Sequence, residues 1–389
     1  MSWRKFQADQ IFNGEIFLPF DSVVVCSTDG LIEDILPKDE AGEGIQQLDG
    51  IISPGFVNSH CHLELSHMKG LIPEKTGLVD FVFSVVTQRH FPEGEILEAI
   101  EKAEREMYQN GIVAVGDICN NLLTISQKSQ QNLRYYNFVE SSGWLPGIAV
   151  SRFERSKSYF DVFDKMFPTS IVPHAPYSVS DSLWQLIHPY FQNKVASIHN
   201  QETAFEDELF IQNSGDFVRM YGLMNMDTSF YQPSGKSSLQ TYFAKLQNAA
   251  QVILVHNTFI QQADIDFVKE TKPENVSFCL CPNANLYIEN ALPPIDLLRK
   301  NDCQIVLGTD SLASNHSLSI LDEMKTIQQH FPTIPLEEML GWATLNGAKA
   351  LQMDDTLGRL DKGKRPGLIL IENVEHGRLT NESIVRRLV

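Results

Sequence analysis

The chain lacks any apolar run long enough to cross a bilayer, and its first ten residues, Met1 to Gln10, hold none long enough for a secretory signal. A membrane-embedded or exported protein is therefore not expected, and the reading is cytoplasmic. Basic residues are scarce: 31 Lys and Arg against 49 Asp and Glu leave a formal net charge of -18. No stretch gathers the cations into a patch, which argues against nucleic acid or an anionic membrane as partner and leaves a small molecule as the expected ligand. The six cysteines form no Cys-x-x-Cys pair and no disulfide-scaffold pattern, as expected of thiols in a reducing compartment. Cys279 and Cys281, flanking Leu280, are read as core residues, with metal binding as the alternative. Repeats and low-complexity linkers are also absent. With 43% of its 389 residues hydrophobic, the chain has enough apolar material for a large core.

What is present is a series of short apolar runs alternating with helical patterns from Phe56 onward. Eight runs end at His60 to His62, Val113 to Cys119, Tyr135 to Glu140, Ile171 to His174, Val195 to His199, Val252 to His256, Val276 to Cys281 and Ile305 to Asp310. Between them lie helical stretches such as Glu95 to Asn110, stopped by Gly111, Asp181 to Gln192, opened by Asp181 as cap, and Ser317 to His330. Eight βα units in series predict an α/β fold, a (β/α)8 TIM barrel over residues 55–354. The flanks read as β: runs at Gln7 to Leu18, Ser22 to Val25 and Leu31 to Ile35, with turn signals at Asn13-Gly14 and Asp29-Gly30, and a tail resuming at Leu368 to Ile371. Residues 1–54 with 355–389 are thus expected to form a small discontinuous β-sandwich domain. The polar segment Asp227 to Ser238 is expected to be a loop covering the site.

Polar residues capable of chemistry gather at the ends of those runs. His60 and His62 stand at i and i+2 on a strand, where side chains alternate with a period of two, so both imidazoles face one way. An His-x-His pair alone is common on surfaces and in cores. Here His199, His256 and Asp310 also close predicted strands, and a barrel places its active site at the carboxyl ends of its strands. Imidazole nitrogens and a carboxylate oxygen suit zinc first, with iron or manganese as alternatives, and a site without sulfur ligands is more often catalytic than structural.

The motifs Ser53-Pro54-Gly55-Phe56-Val57-Asn58-Ser59-His60-Cys61-His62, His174-Ala175-Pro176-Tyr177, His199-Asn200-Gln201-Glu202, Cys281-Pro282-Asn283-Ala284-Asn285 and Gly308-Thr309-Asp310-Ser311, with the closing Gly358 to Leu368, occur in one order. In these motifs the chain resembles the amidohydrolase superfamily, within it the cytosine deaminase and chlorohydrolase-like aminohydrolases. Glu64 to Gly70 with Gly77 to Phe81 resembles the aminodeoxyfutalosine deaminase-like branch. The pair between His199 and Glu202 is Asn200-Gln201 where the family has small apolar residues, which implies a different local pocket.

The resemblance implies one divalent ion held by His60, His62, His199 and Asp310, with a position open for water. The dinuclear relatives carry a carbamylated Lys at the end of strand four, and here that strand ends Pro173-His174. Glu202, three residues after His199, implies the deaminase proton shuttle, against a solvated helix-start Glu as the plain alternative. His256 is expected to orient the attacking water or stabilise the adduct, and Asp310 to accept the water's proton. Glu64, Ser66, His174 and Asn283, with Asn285 beside the last, are expected along the substrate wall. The implied reaction is hydrolytic deamination of an amino-substituted purine, aminodeoxyfutalosine or another adenosine derivative. A cyclic amide, a chloro-substituted ring and an inactive metal-bearing binding homologue stand as alternatives, and the family implies a homodimer.

Overall fold

The computed structural model describes residues 3–272 and 274–389. The chain opens with strands β1 (Trp3–Ile11), β2 (Ser22–Ser27), β3 (Ile32–Pro37) and β4 (Ile45–Pro54). From its far end come β13 (Leu368–Glu375) and β14 (Arg378–Arg387). Together they form one six-stranded sheet in the order β14-β13-β4-β1-β2-β3. Only the β1–β4 pair is parallel. A single mixed sheet therefore stands where a sandwich was expected. Both faces are nonetheless covered, because successive residues of β2 point to opposite sides. Val24 and Cys26 pack with Phe6, Ile52 and Leu370, whereas Val23 and Val25 pack with Ala41.

The central region holds eight strands: β5 (Phe56–Cys61), β6 (Ile112–Cys119), β7 (Arg134–Ser141), β8 (Thr169–Pro173), β9 (Val195–Asn200), β10 (Gln251–His256), β11 (Val276–Leu280) and β12 (Gln304–Leu307). They form two four-stranded sheets, β5-β6-β7-β8 and β9-β10-β11-β12, with neighbours parallel throughout. Parallel strands need crossovers, and helices such as Glu93–Gln109 and Asp181–Phe191 supply them. The second is capped by Ser180, whose side chain accepts from the Leu183 N–H, rather than by Asp181. The two sheets meet at their carboxyl ends: Thr309 and Asp310 N–H groups donate to the His60 carbonyl at 3.0 and 3.1 Å, and the His199 N–H donates to the His174 carbonyl at 3.0 Å.

Near-complete burial explains why these strands read as continuous apolar runs, since parallel strands covered on both faces have no solvated side. Cys279 and Cys281 are fully buried among Val57, Val255 and Val306 and are core residues. One charged pair is also sealed inside. Lys128 Nζ lies 2.5 Å from Asp117 Oδ2, both side chains fully buried, and donates to Asn137 Oδ1 at 2.6 Å. The other oxygen of Asp117 accepts from the Leu63 N–H at 2.9 Å, so the pair fixes the chain immediately after His62. Lys128→Met strands the carboxylate in a dry interior and is expected to cost about 3–5 kcal/mol, read as a lower chemical-denaturation midpoint. An unchanged midpoint would contradict the pairing. No helix among the described residues is long and apolar enough to cross a membrane.

Candidate metal and proton-transfer site

β5 delivers His60 within its last turn of pleat and His62 just beyond it, and β9 delivers His199. Asp310 lies three residues past the end of β12, in left-handed backbone with φ 57°. Gly308 lets that segment close on β5: a Cβ there would lie 2.9 Å from the Cβ of His60. His62 Nε2 stands 3.4 Å from His199 Nε2 and 3.4 Å from Asp310 Oδ1, with His60 Nε2 3.6 Å from the same oxygen. One donor atom from each of the four residues lies within 4.8 Å of the others.

This donor set fits a divalent cation. Metal–nitrogen bonds of about 2.1 Å in a tetrahedron set donors roughly 3.4 Å apart, which is the spacing found. Both ring nitrogens of His60 and Nδ1 of His62 are buried with no hydrogen-bond partner; such orphans cost about 1–3 kcal/mol each, a penalty that a cation removes where it takes up a converging Nε2. The second nitrogen of His199 is held as a metal ligand's should be, with Nδ1 donating to the His174 carbonyl at 2.8 Å and facing Glu140 Oε1 at 3.5 Å. Burial keeps the imidazoles neutral, as ligands must be: it lowers His60, takes His62 to about 3 and His199 to about 4. Burial pushes the Asp310 carboxyl up, but its contact with His60 outweighs this and holds it below the usual carboxylate range. Ser314 Oγ donates to its Oδ2 at 2.6 Å.

Beside this group stand Glu202 and His256. Glu202 Oε1 lies 3.6 Å from His256 Nε2. His256 ends β10 with φ 74°, and its Nδ1 lies 3.2 Å from Asn285 Nδ2. Gln201 (φ 42°), His256 and Asp310 all occupy left-handed backbone, at about 1–3 kcal/mol each for residues with a Cβ. Burial, then the charges of Asp310, Glu289 and Glu206, drives the Glu202 carboxyl well above its usual range. A carboxyl raised in this way can serve as acid and base.

The other expected residues are placed unevenly. Glu64 is buried and accepts from the Asn120 N–H at 2.9 Å, and burial raises its carboxyl to about 7. The same asparagine's side chain donates to Glu140 Oε2 at 2.9 Å, so two carboxyl groups flank it. Ser66 is buried and donates its hydroxyl to the Leu63 carbonyl at 2.7 Å. His174 is partly exposed beside His199, ring centroids 4.8 Å apart, with Nδ1 2.9 Å from Ser178 Oγ. Asn283 turns away from the site: its Oδ1 accepts from Thr326 at 2.5 Å, while Asn285 faces His256. In the segment 227–238, Tyr231 packs on Trp144, which stacks on Tyr221, and Ser237 and Ser238 bond Asp264, Asp207 and Glu206.

Glu206 is fully buried, one oxygen without a partner, and burial lifts its carboxyl to about 8. The native protein thus holds a proton that the unfolded chain releases above its ordinary value of 4.5; this stability is complete below that value and lost as pH rises toward 8. Glu206→Gln imitates the protonated acid. Its melting temperature is expected to match the parent's at about pH 5 and to exceed it by several degrees at about pH 9. Equal melting curves at both would contradict the assignment.

The sequence model of the amidohydrolase family matches residues 51–385. A 5-methylthioadenosine/S-adenosylhomocysteine deaminase of Saccharophagus degradans is 25% identical, over 95% of this chain and 84% of that protein. An adenosine deaminase of Helicobacter pylori is 26% identical, over 82% of this chain and 78% of the relative. Among solved structures, the Helicobacter pylori aminofutalosine deaminase in complex with methylthio-coformycin matches with a TM-score of 0.81 and 22% identity, over 99% of this chain and all of that one. A zinc-bound adenosine deaminase of Xanthomonas campestris matches with a TM-score of 0.72 and 21% identity, over 95% of this chain and 84% of that one. The chain belongs to the amidohydrolase family, and with it to the metal-dependent hydrolases of carbon–nitrogen bonds.

Proposed function

We propose that this protein is a mononuclear, zinc-dependent aminohydrolase that removes the 6-amino group of an adenosine derivative, aminodeoxyfutalosine first, with S-adenosylhomocysteine and methylthioadenosine next. The observation that carries this reading is the convergence of His60, His62, His199 and Asp310 beside a buried Glu202 that lies 3.6 Å from His256. The deaminase names of the relatives support the adenine ring as substrate. The absence of a Lys at the end of β8 supports one ion.

His60, His62, His199 and Asp310 would hold the ion. When bound, it lowers the pKa of water to about 7 and so makes a nucleophile available near neutrality. Glu202 carries the proton from that water to the ring nitrogen, and then to the departing amine. Asp310 accepts hydrogen from the water, its second oxygen held by Ser314. His256, oriented through Asn285, faces the oxygen of the tetrahedral adduct. His174 and Glu64 lie on the substrate side of this arrangement.

On the scale of the fold, residues 55–354 are read as a closed (β/α)8 barrel and residues 1–54 with 355–389 as a separate β domain. The protein is read as a cytoplasmic homodimer, an assignment that light scattering showing monomer alone would overturn. The test of function is ammonia release by metal-assayed protein from aminodeoxyfutalosine, adenosine derivatives, guanine, cytosine and pterins. Release from one purine nucleoside is expected. Silence across the panel with about one ion bound per chain would sink deamination in favour of another leaving group.

A further inference from the structure

Between His199 and Glu202 the strand changes direction at a residue whose side chain never enters the site. β9 ends at Asn200, and in a continued strand residue 201 would share the face of His199 while residue 202 pointed away. Left-handed backbone at Gln201 breaks that alternation, and Glu202 comes within 3.6 Å of His256. Gln201 is 1% exposed, and its side chain turns outward into a cluster of carboxyls. Its Nε2 donates to Asp264 Oδ2 at 2.9 Å, with both oxygens of Asp207 at 3.3 Å. Its backbone N–H donates to Glu206 Oε1 at 3.1 Å, and its carbonyl accepts from the Phe259 N–H at 3.0 Å. Ser237 and Gln240 donate to the other oxygen of Asp264 at 2.5 and 3.1 Å, so the principal acceptor is itself held.

We propose that Gln201 is a positioning residue: its amide, clamped by Asp264 and Asp207, holds the left-handed turn that swings Glu202 onto the face of His199. Three features support this. The turn is unfavourable for a residue with a Cβ and needs compensation. The amide's hydrogen bonds to the two carboxyl groups, 2.9 Å to Asp264 and 3.3 Å to Asp207, supply it. The acceptors bond no Lys or Arg among the described residues, so the amide meets no cationic competitor.

The catalytic half of the claim rests on Glu202 as proton carrier, so its test has two readouts. Crystal structures of the parent and of Gln201→Leu read the geometry without reference to any reaction. The expected result is a changed φ at 201 and Glu202 moved away from His256, well beyond the 3.6 Å seen in the parent. An unchanged turn and an unmoved Glu202 overturn the proposal. Kinetics with the metal-loaded proteins are expected to show kcat lower by roughly 100-fold, with KM and metal content within a factor of about two. A parent no faster than Glu202→Gln would instead sink the reading of Glu202 and leave the geometric result standing. Should Gln201→Leu fail to fold, the acceptor side gives the same decision: Asp264→Ala is expected to lower kcat alone, and Asp264→Asn, whose amide oxygen still accepts, to restore most of it. Equal activity of those two variants overturns the proposal.

Discussion

Glu202→Gln is expected to slow ammonia release by roughly 100- to 10,000-fold while leaving metal content and substrate affinity close to those of the parent. The carboxyl is 4% exposed and lies 3.6 Å from His256. Gln has the same shape and still accepts a hydrogen bond, so the pocket and the four-donor cluster survive. What it cannot do is take a proton from water and give it to a ring nitrogen. Single-turnover kinetics with metal analysis on the same sample separates the two effects. A variant keeping a tenth or more of the parent's rate would mean that another group carries the proton. The same experiment disposes of the binding-protein alternative, for a scaffold would show no functional change.

The second large effect concerns the cluster itself. His62→Ala removes the donor that stands 3.4 Å from both His199 and Asp310, and leaves three donors with a gap. Even changes one shell further out cost metal sites about 10–100-fold in affinity, so loss of a direct donor is expected to weaken binding by at least about 100-fold. Activity should fall with it and return in part at high metal concentration. Because bound metal stabilises the native state by mass action, the parent's melting temperature should fall on chelation, whereas that of His62→Ala should hardly respond. A variant that keeps both its metal and its chelation-sensitive melting would place the ion elsewhere. Acid should act in the same direction. The buried imidazoles of His62 and His199 sit near 3 and 4, below the ordinary value of 6.5. The unfolded chain therefore binds protons that the native state refuses, and stability is lost as pH falls from about 6.5 toward 4.

The strands of the two parallel sheets were legible because burial on both faces makes them unbroken apolar runs. Two strands of the flanking sheet were not. β4 begins with half-buried Ile45 and exposed Gln46 and Gln47 and only then buries Gly50 to Pro54, and β14 alternates with charged residues on an edge. β4 pairs with β1 and, far along the chain, with β13, so that pairing leaves no local signal, whereas β14 pairs with the adjacent β13 and is masked by its own charged, half-exposed sequence. The same holds around the site. His60, His62, His199, His256 and Asp310 stood out because each follows an apolar run. Glu140, Asp117, Asn120 and Lys128 owe their positions to contacts between different strands and loops. Asn283 and Asn285 could not be told apart without knowing that Pro282–Ile288 is a helix. Two residues apart on a helix is about 200° of rotation, so one amide meets Thr326 while the other meets His256.

The most direct test of the account is a zinc titration of metal-free protein, following ammonia release from an adenosine derivative against ions bound per chain. A single activating ion predicts turnover that climbs linearly and levels off at about one equivalent, with His62→Ala silent over the same range. Turnover without metal, or a rise that continues to two equivalents, would contradict it.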